Sequence, residues 1–521
     1  MVEQLQLLPG YLTAHLQLAL IALAVGAAVS VPAGVAIHRR PRLEPPLLGI
    51  ASAIQTIPGL ALLAVMVPLF AGLGAWLAGS GLEVRGIGFL PALVALTLYG
   101  LLPILRNTVT GLAGVDPAVR EAAAGVGMTP SQALWRVELP LALPVIVAGV
   151  RTSAVWIVGT ATLSTPIGAT SLGNYIFSGL ATRNDAAVLV GCLASAGLAL
   201  GLDQLIRLLE AGVRAGRRAW WGLAAAALGA LALFALGSFA AERWRDADGA
   251  VSIGSKAFTE QYVLAQILAR HVTAASGATT RAVPSLGSTV AFDALVSGDL
   301  DVYVDYTGTI WATIMRETTL PERRAEVLER VGRFLAERHG VTLVCALGFE
   351  NTYALGMRRD RAAALGVRRI GDLASLAPRL EIGGDYEFFG RAEWRALVSA
   401  YGLAFGAERS MDPSLMYGAV AAGEVDVISA FSTDGRIAAY DLVLLEDERG
   451  VIPPYDAVVL AGPRLAREAP EVLEALRGLA GSIDAATMRR MNHAVDAGGR
   501  TPAEVAEAFV HDAAGDADPD A

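Results

Sequence analysis

Lysine is nearly missing from this chain of 521 residues: Lys256 is the only one among 41 basic residues. That scarcity excludes a Gly-x-x-x-x-Gly-Lys phosphate loop, because Ser255 and not glycine precedes the sole lysine. Cysteine is as rare. Cys192 lies in an apolar run and Cys345 in a more polar half, so neither an intradomain disulfide nor a cysteine-built metal site is available. Six scattered histidines lack metal-ligand spacing, and His271, His339 and His493 read as helix-surface positions. No metal and no cofactor is expected. Charged residues are 17% of the chain, the net charge is −9 and no basic tract occurs, which argues against nucleic acid as a partner. One ammonium kept at a turn, in a sequence that otherwise uses arginine, points to a specific charge contact.

Apolar residues are abundant, 54% of the total, and the long runs fall almost entirely before residue 240. Runs near 13–37, 47–71, 88–105, 144–165, 186–206 and 219–240 are each long enough, at roughly 20 residues, to cross a bilayer and meet its lipid. Arginines set their orientation. Arg39, Arg40 and Arg42 follow the first run; Arg106, Arg120 and Arg136 flank or occupy the loop after the third; Arg207, Arg214, Arg217 and Arg218 follow the fifth. The alternate loops 72–87 and 166–185 carry only Arg85 and Arg183. The positive-inside rule then puts the N-terminus outside, loop 106–143 inside and everything after residue 240 outside. The first run lacks a basic flank and exceeds a signal-peptide core, so it reads as a retained span. The sixth, with Trp220, Trp221 and Trp244 at its ends, reads as a tether. Gln55, Thr56 and Asn174 are candidate pathway residues, each equally compatible with an interhelical hydrogen bond, and Arg151 reads as a snorkelling side chain.

Between the third and fourth runs lies Glu121-Ala122-Ala123, then Gly127, then Val137 followed by Leu139-Pro140. Asp116 and Pro117 start a short helix that Gly127 ends, and a second should run from Thr129 and stop at Leu139-Pro140. This spacing resembles the cytoplasmic loop of the permease subunits of ABC importers. The segments Gly168–Phe177 and Tyr99–Thr110 are similar to the betaine-type subfamily of those permeases. The resemblance implies that Glu121, Ala122, Ala123, Gly127, Leu139 and Pro140 couple to a separate cytoplasmic ATPase. It further implies that two copies of the chain form the translocation pathway.

After residue 248 the pattern changes to alternating strand and helix: strands at 250–254, 279–283, 301–305 and 341–344, helices at 259–276, 288–297, 321–338 and near 503–511. Such alternation predicts parallel sheets, here in two lobes. The segments Ala294–Thr309, Asn351–Leu355, Phe388–Arg391 and Phe431–Arg436 strongly resemble, in order and spacing, the extracellular receptors for betaine, carnitine and choline. The fold class implied is an all-α transmembrane permease domain followed by an α/β two-lobe domain like the type II periplasmic binding proteins. Its parts would be a permease over 1–218, a tether over 219–248, a receptor over 249–515 and a disordered tail over 516–521. No lipid-anchor cysteine precedes the receptor, which a covalent fusion makes unnecessary.

Those receptors hold a quaternary ammonium among aromatic rings, because trimethylammonium donates no conventional hydrogen bond and ring faces offer negative potential. Carried over, the cage would be Tyr306, Tyr353, Phe431 and Tyr455 with Asn351 beside it; Phe431 departs from the family's usual tyrosine. Lys256, Thr309 and Arg391 would meet a ligand carboxylate. Asp434-Gly435 reads as a turn, and no catalytic residue is expected. The chain is therefore read as the translocating and receptor component of an importer for quaternary ammonium zwitterions, osmoprotectants of the glycine betaine, carnitine and choline type. Ergothioneine, a histidine betaine, is the alternative ligand, and some of its receptors are also fused to their permease. A transmembrane ligand sensor is the competing class, disfavoured by the intact Glu121 loop.

Overall fold

The computed structural model describes residues 2–77, 84–182, 184–215, 218–246, 249–317, 324–385 and 388–515. Outside them lie Arg183, Arg217, the first residues of the helix expected from 321 and the whole tail expected over 516–521. The side chains of Arg214, Arg218, Trp220, Trp221 and Trp244 are likewise outside the described set. The chain forms two compact units, residues 1–177 with 186–248 and residues 178–185 with 249–521.

The first unit is all helix: α1 Val2–Arg39, α2 Glu44–Thr56, α3 Gly59–Leu77, α4 Phe89–Ala113, α5 Pro117–Gly125, α6 Pro130–Ala133, α7 Leu139–Ala161, α8 Gly173–Ala181, α9 Asp185–Arg214 and α10 Arg218–Asp246. Six helical stretches among the described residues are long and apolar enough to cross a membrane: Leu7–Arg39, Gly59–Leu77, Phe89–Ala113, Pro130–Ile167, Asp185–Gly212 and Gly222–Ala240. The second span corrects the expected 47–71. Pro58 forces Ile57 out of the helical region (φ −71°, ψ 127°), so the chain breaks there and the span starts at Gly59. Gln55 and Thr56 thus sit at the end of α2, ahead of the span, with the Thr56 hydroxyl donating back to the Ala53 carbonyl.

Polar contacts bind these helices. Arg151 has acidic partners on another helix. Its Nε donates to Asp203 Oδ1 at 2.5 Å, with Glu210 3.9 Å from Nη1, an ion pair joining α7 to α9. Asn174 Oδ1 accepts from Ser171 N at 2.8 Å, and Leu172 N donates to His15 Nδ1 at 3.3 Å, so the irregular segment before α8 has its backbone satisfied from within. Helix α10 packs on α1, where Gln17 Nε2 donates to Ser238 Oγ at 2.9 Å.

The second unit carries β1 Val251–Lys256, α11 Thr259–Ser276, β2 Thr280–Leu286, α12 Ser288–Ser297, β3 Val302–Tyr306, α13 Thr307–Thr309, α14 Arg324–His339, β4 Thr342–Glu350 and β5 Tyr353–Arg358. It continues with α15 Arg359–Leu365, β6 Glu381–Gly384, α16 Ala392–Tyr401, β7 Ala407–Ser410, α17 Pro413–Ala422, β8 Val427–Phe431, α18 Arg436–Ala439, β9 Leu442–Leu444 and β10 Asp456–Ala461. The helices α19 Pro463–Glu468, α20 Pro470–Arg477, α21 Ala485–Asp496 and α22 Pro502–Gly515 close it. There are two five-stranded sheets, in the orders β2-β1-β3-β10-β4 and β7-β6-β8-β5-β9, one per lobe.

Both sheets are mixed, a correction to the parallel expectation. Strands β1, β2 and β3 pair in parallel, but β10 runs antiparallel to β3 and β4, and β5 antiparallel to β8 and β9. The chain passes between lobes twice, from β4 into β5 and from β9 to β10. The strands that make these passages enter each sheet from the opposite end. At the crossing Asn351 N donates to the Tyr455 carbonyl at 3.0 Å, tying the two passages together.

Candidate ligand site and coupling loop

Local sequence places the site at strand ends. Lys256 closes β1 and Phe258 stands in the turn before α11; Tyr306 closes β3; Tyr353 opens β5; Phe431 closes β8; Tyr455 immediately precedes β10. These positions surround one cavity of about 210 Å³ between the lobes, and all eight residues singled out from sequence line it: Lys256, Tyr306, Thr309, Asn351, Tyr353, Arg391, Phe431 and Tyr455. Phe258, Ser288, Asp385 and Pro413 line it too and were missed. Phe258 had a signal, an aromatic in a strand-to-helix turn beside the lone lysine.

Among the described residues, five rings make the walls. Phe258 stacks 6.3 Å from both Tyr306 and Phe431, at interplanar angles of 28° and 5°. Tyr353 lies 5.0 Å from Phe431 and stands edge-on to Tyr455 at 5.8 Å. Gly308 is required here, since a Cβ on it would fall 2.5 Å from a Tyr455 ring carbon. Burial raises the hydroxyl pKa of Tyr306 and Tyr455 well above the usual tyrosine value, so both rings are neutral phenols that donate to carboxylates. Tyr306 donates to Glu260 Oε1 at 2.5 Å and Tyr455 to Glu393 Oε1.

The cations at the cavity are already paired. Lys256 Nζ donates to Asp305 Oδ1 at 2.5 Å, with side-chain exposures of 6% and 2%. Arg391 Nη1 is 3.8 Å from Glu393 Oε1, and its guanidinium carbon sits 5.3 Å over the Tyr353 ring. With Glu260 and Asp385, four carboxylates among the described residues face two cations at or just behind the wall, a balance suited to a ligand bearing positive charge. The Asp434-Gly435 turn lies behind the wall, where Asp434 pairs with Arg436 at 2.6 Å.

The Glu121 loop in the first unit is built as expected at its start and differently at its end. Asp116 Oδ1 accepts from Ala118 N at 2.9 Å, Gly127 takes a left-handed φ of +80°, and Thr129 forms a capping box with Gln132. The second helix does not stop at Leu139-Pro140. A π-turn over Leu134–Glu138, in which Leu139 N reaches the Leu134 carbonyl, lets the chain run on into α7. Pro140 brings no N–H, and the wider turn relieves its ring from the carbonyl four residues back. Glu121, Ala122, Gly127 and Pro140 are exposed, Leu139 is half-buried and Ala123 is buried. Val126 and Trp135, unmarked by sequence reading, are 73% and 69% exposed. Arg39 donates to the Pro130 carbonyl at 3.1 Å and His38 Nε2 contacts Glu138 Oε2 at 3.2 Å, so the end of α1 braces the loop.

Residues 249–512 match the family model of the substrate-binding domain of ABC-type glycine betaine transport systems, and residues 23–215 that of the inner membrane component of binding-protein-dependent transport systems. The chain belongs to this transport family, with permease and substrate-binding domain in one polypeptide. It is a multi-pass inner-membrane protein whose binding domain lies outside. Among similar proteins is the ergothioneine transport permease/ergothioneine binding protein EgtU of Helicobacter pylori (strain G27), 30% identical over 89% of this chain and 83% of that one. The choline transport system permease protein OpuBB of Bacillus subtilis (strain 168) is 41% identical over 38% of this chain and 83% of its own. A solved glycine betaine/carnitine/choline ABC transporter structure is 29% identical, with a TM-score of 0.43, over 50% of this chain and 98% of that one.

Proposed function

We propose that this protein imports a small zwitterion bearing a trimethylammonium group. The observation that carries the reading is the ring of Phe258, Tyr306, Tyr353, Phe431 and Tyr455 around one cavity that also exposes Arg391 and Lys256. Methylated ammonium packs against ring faces, each desolvated contact contributing about 2 kcal/mol. Its carboxylate is met by Arg391, with Lys256 and the Thr309 hydroxyl beside it and Asn351 flanking the cage. Lys256 contributes less than a free ammonium would, because Asp305 already holds it. Lobe closure about the Asn351 and Tyr455 crossing encloses the ligand.

The permease spans 1–218, the tether 219–248 and the receptor 249–515 in this reading. ATP hydrolysis comes from a separate subunit docked on Glu121–Pro140, where exposed Val126 and Trp135 supply an apolar grip. Two copies of the chain line the pathway. Ergothioneine is a second ligand reading favoured by Asp385, a carboxylate at the cavity that can accept a hydrogen bond from an imidazole-thione N–H. Glycine betaine offers no such donor.

Calorimetric titration of the full-length protein with glycine betaine, carnitine, choline, ergothioneine and glycine tests this. At least one trimethylammonium compound is expected to bind a hundredfold or more tighter than glycine, on the order of two ring contacts. Equal affinity for glycine and glycine betaine would remove the cage. Tightest binding of ergothioneine, lost in Asp385→Asn, would decide for the second ligand.

A further inference from the structure

Behind the cage lies a carboxylate that no cation among the described residues pairs with. Glu260, on the first turn of α11, is 2% exposed and does not line the cavity. Its Oε1 accepts from the Tyr306 hydroxyl at 2.5 Å and from Asn351 Nδ2 at 3.0 Å. Its Oε2 accepts from the Thr433 hydroxyl and from Asn492 Nδ2 at 3.0 Å. Gln261 Nε2 donates to the Tyr306 oxygen at 3.1 Å, which leaves the phenol proton pointing to Glu260. Four donors thus surround the carboxylate, and a proton on it would displace one of them. Burial pushes its pKa above the usual carboxylate value, and those four bonds lower it only in part.

Three neighbouring buried acids have cationic partners: Asp305 has Lys256, Glu393 has Arg391 and Asp434 has Arg436. Among the described residues no lysine, arginine or histidine pairs with Glu260. A buried charge without a counter-ion is costly unless something supplies one. The Tyr306 ring, whose hydroxyl donates to Glu260, lines the cavity.

We infer that Glu260 is the counter-charge for the bound cation, acting at one remove through the Tyr306 hydroxyl. This deepens the proposal above and rests on the cage taking a cation. A carboxylate that accepts from the phenol raises the electron density of its ring and sets a full negative charge behind the face. Glu260 is a specificity-determining, positioning residue: it makes the cage prefer a charged trimethylammonium to a neutral group of equal shape. Its donors come from β3, from the Asn351 crossing, from the turn after β8 in the other lobe and from α21, so the charge sits where the lobes meet.

The test uses full-length protein, with Glu260→Gln, Tyr306→Phe and the double variant, titrated with glycine betaine and with tert-butylacetate, its neutral-headed carbon isostere. Glu260→Gln is expected to weaken glycine betaine about tenfold, a Coulomb effect at moderate effective dielectric, and to leave tert-butylacetate unchanged. Tyr306→Phe, which keeps the ring and cuts the link, should give the same selective loss, and the double variant no more than the larger single one. Equal weakening of both ligands, or additive losses, would overturn the inference. If Glu260→Gln does not fold, Tyr306→Phe decides alone: a loss confined to glycine betaine supports the relay, and unchanged selectivity overturns it. If the unsubstituted protein binds both ligands equally, the cage reading itself fails, a result separate from any variant.

Discussion

A Gly127→Val variant is expected to bind ligand as tightly as the parent protein and to import almost none. Gly127 sits at φ +80° between α5 and the Thr129-capped turn, with its N–H on the Ala124 carbonyl at 2.9 Å. Nothing lies within 4 Å of a Cβ built there, so no clash opposes the substitution. The effect is on the backbone alone: left-handed conformation costs an L-residue roughly 1–2 kcal/mol, and a β-branched one more. The turn therefore opens, and Val126 and Trp135 lose the positions from which they would grip an ATPase. Uptake into vesicles reconstituted with the ATPase, set beside calorimetric affinity, reads the two effects separately. Parental uptake in this variant would show that the loop does not couple.

The second large effect separates the two ends of the ligand. Arg391→Ala should weaken glycine betaine and carnitine by about tenfold to a hundredfold, the worth of hydrogen bonds between charged groups. Choline, which has no carboxylate, should change by no more than a few-fold. Tyr353→Ala should weaken all three by about thirtyfold, since it deletes a ring face at the centre of the cage. The Arg391 guanidinium lies over that ring, so the pair is coupled and the double variant should fall short of the product of the singles. Equal losses of choline and glycine betaine in Arg391→Ala would recast the arginine as a brace for Glu393, 3.8 Å away.

Much of the receptor was readable because its elements end in strong local signals. Helices α11 and α12 were placed to the residue, each closed by a glycine in the left-handed region, Gly277 and Gly298. The cage residues came from motifs that resemble the receptors for betaine, carnitine and choline, and the structure puts them at strand ends around one cavity. Other features depend on contacts distant in sequence. Strand direction in the sheets follows from the double crossing between lobes, which nothing in the apolar run 456–461 announces. Arg151 looked like a snorkelling side chain because Asp203 is 52 positions away. Pro58 and Pro140 bear opposite lessons. The first breaks its helix as local rules demand, while the second is tolerated by a π-turn set by the residues before it.

The buried pairing of Lys256 with Asp305 gives the receptor a built-in reporter. Because the chain has one lysine, an amine-directed acylating reagent finds a single side chain besides the N-terminus. That amine is bonded to its carboxylate partner and shielded by the walls of the cavity, so acylation awaits an excursion that opens the lobes and frees it. The rate of modification at Lys256 therefore measures how often the empty receptor gapes. Its slowing by a bound solute measures closure, without a single engineered residue.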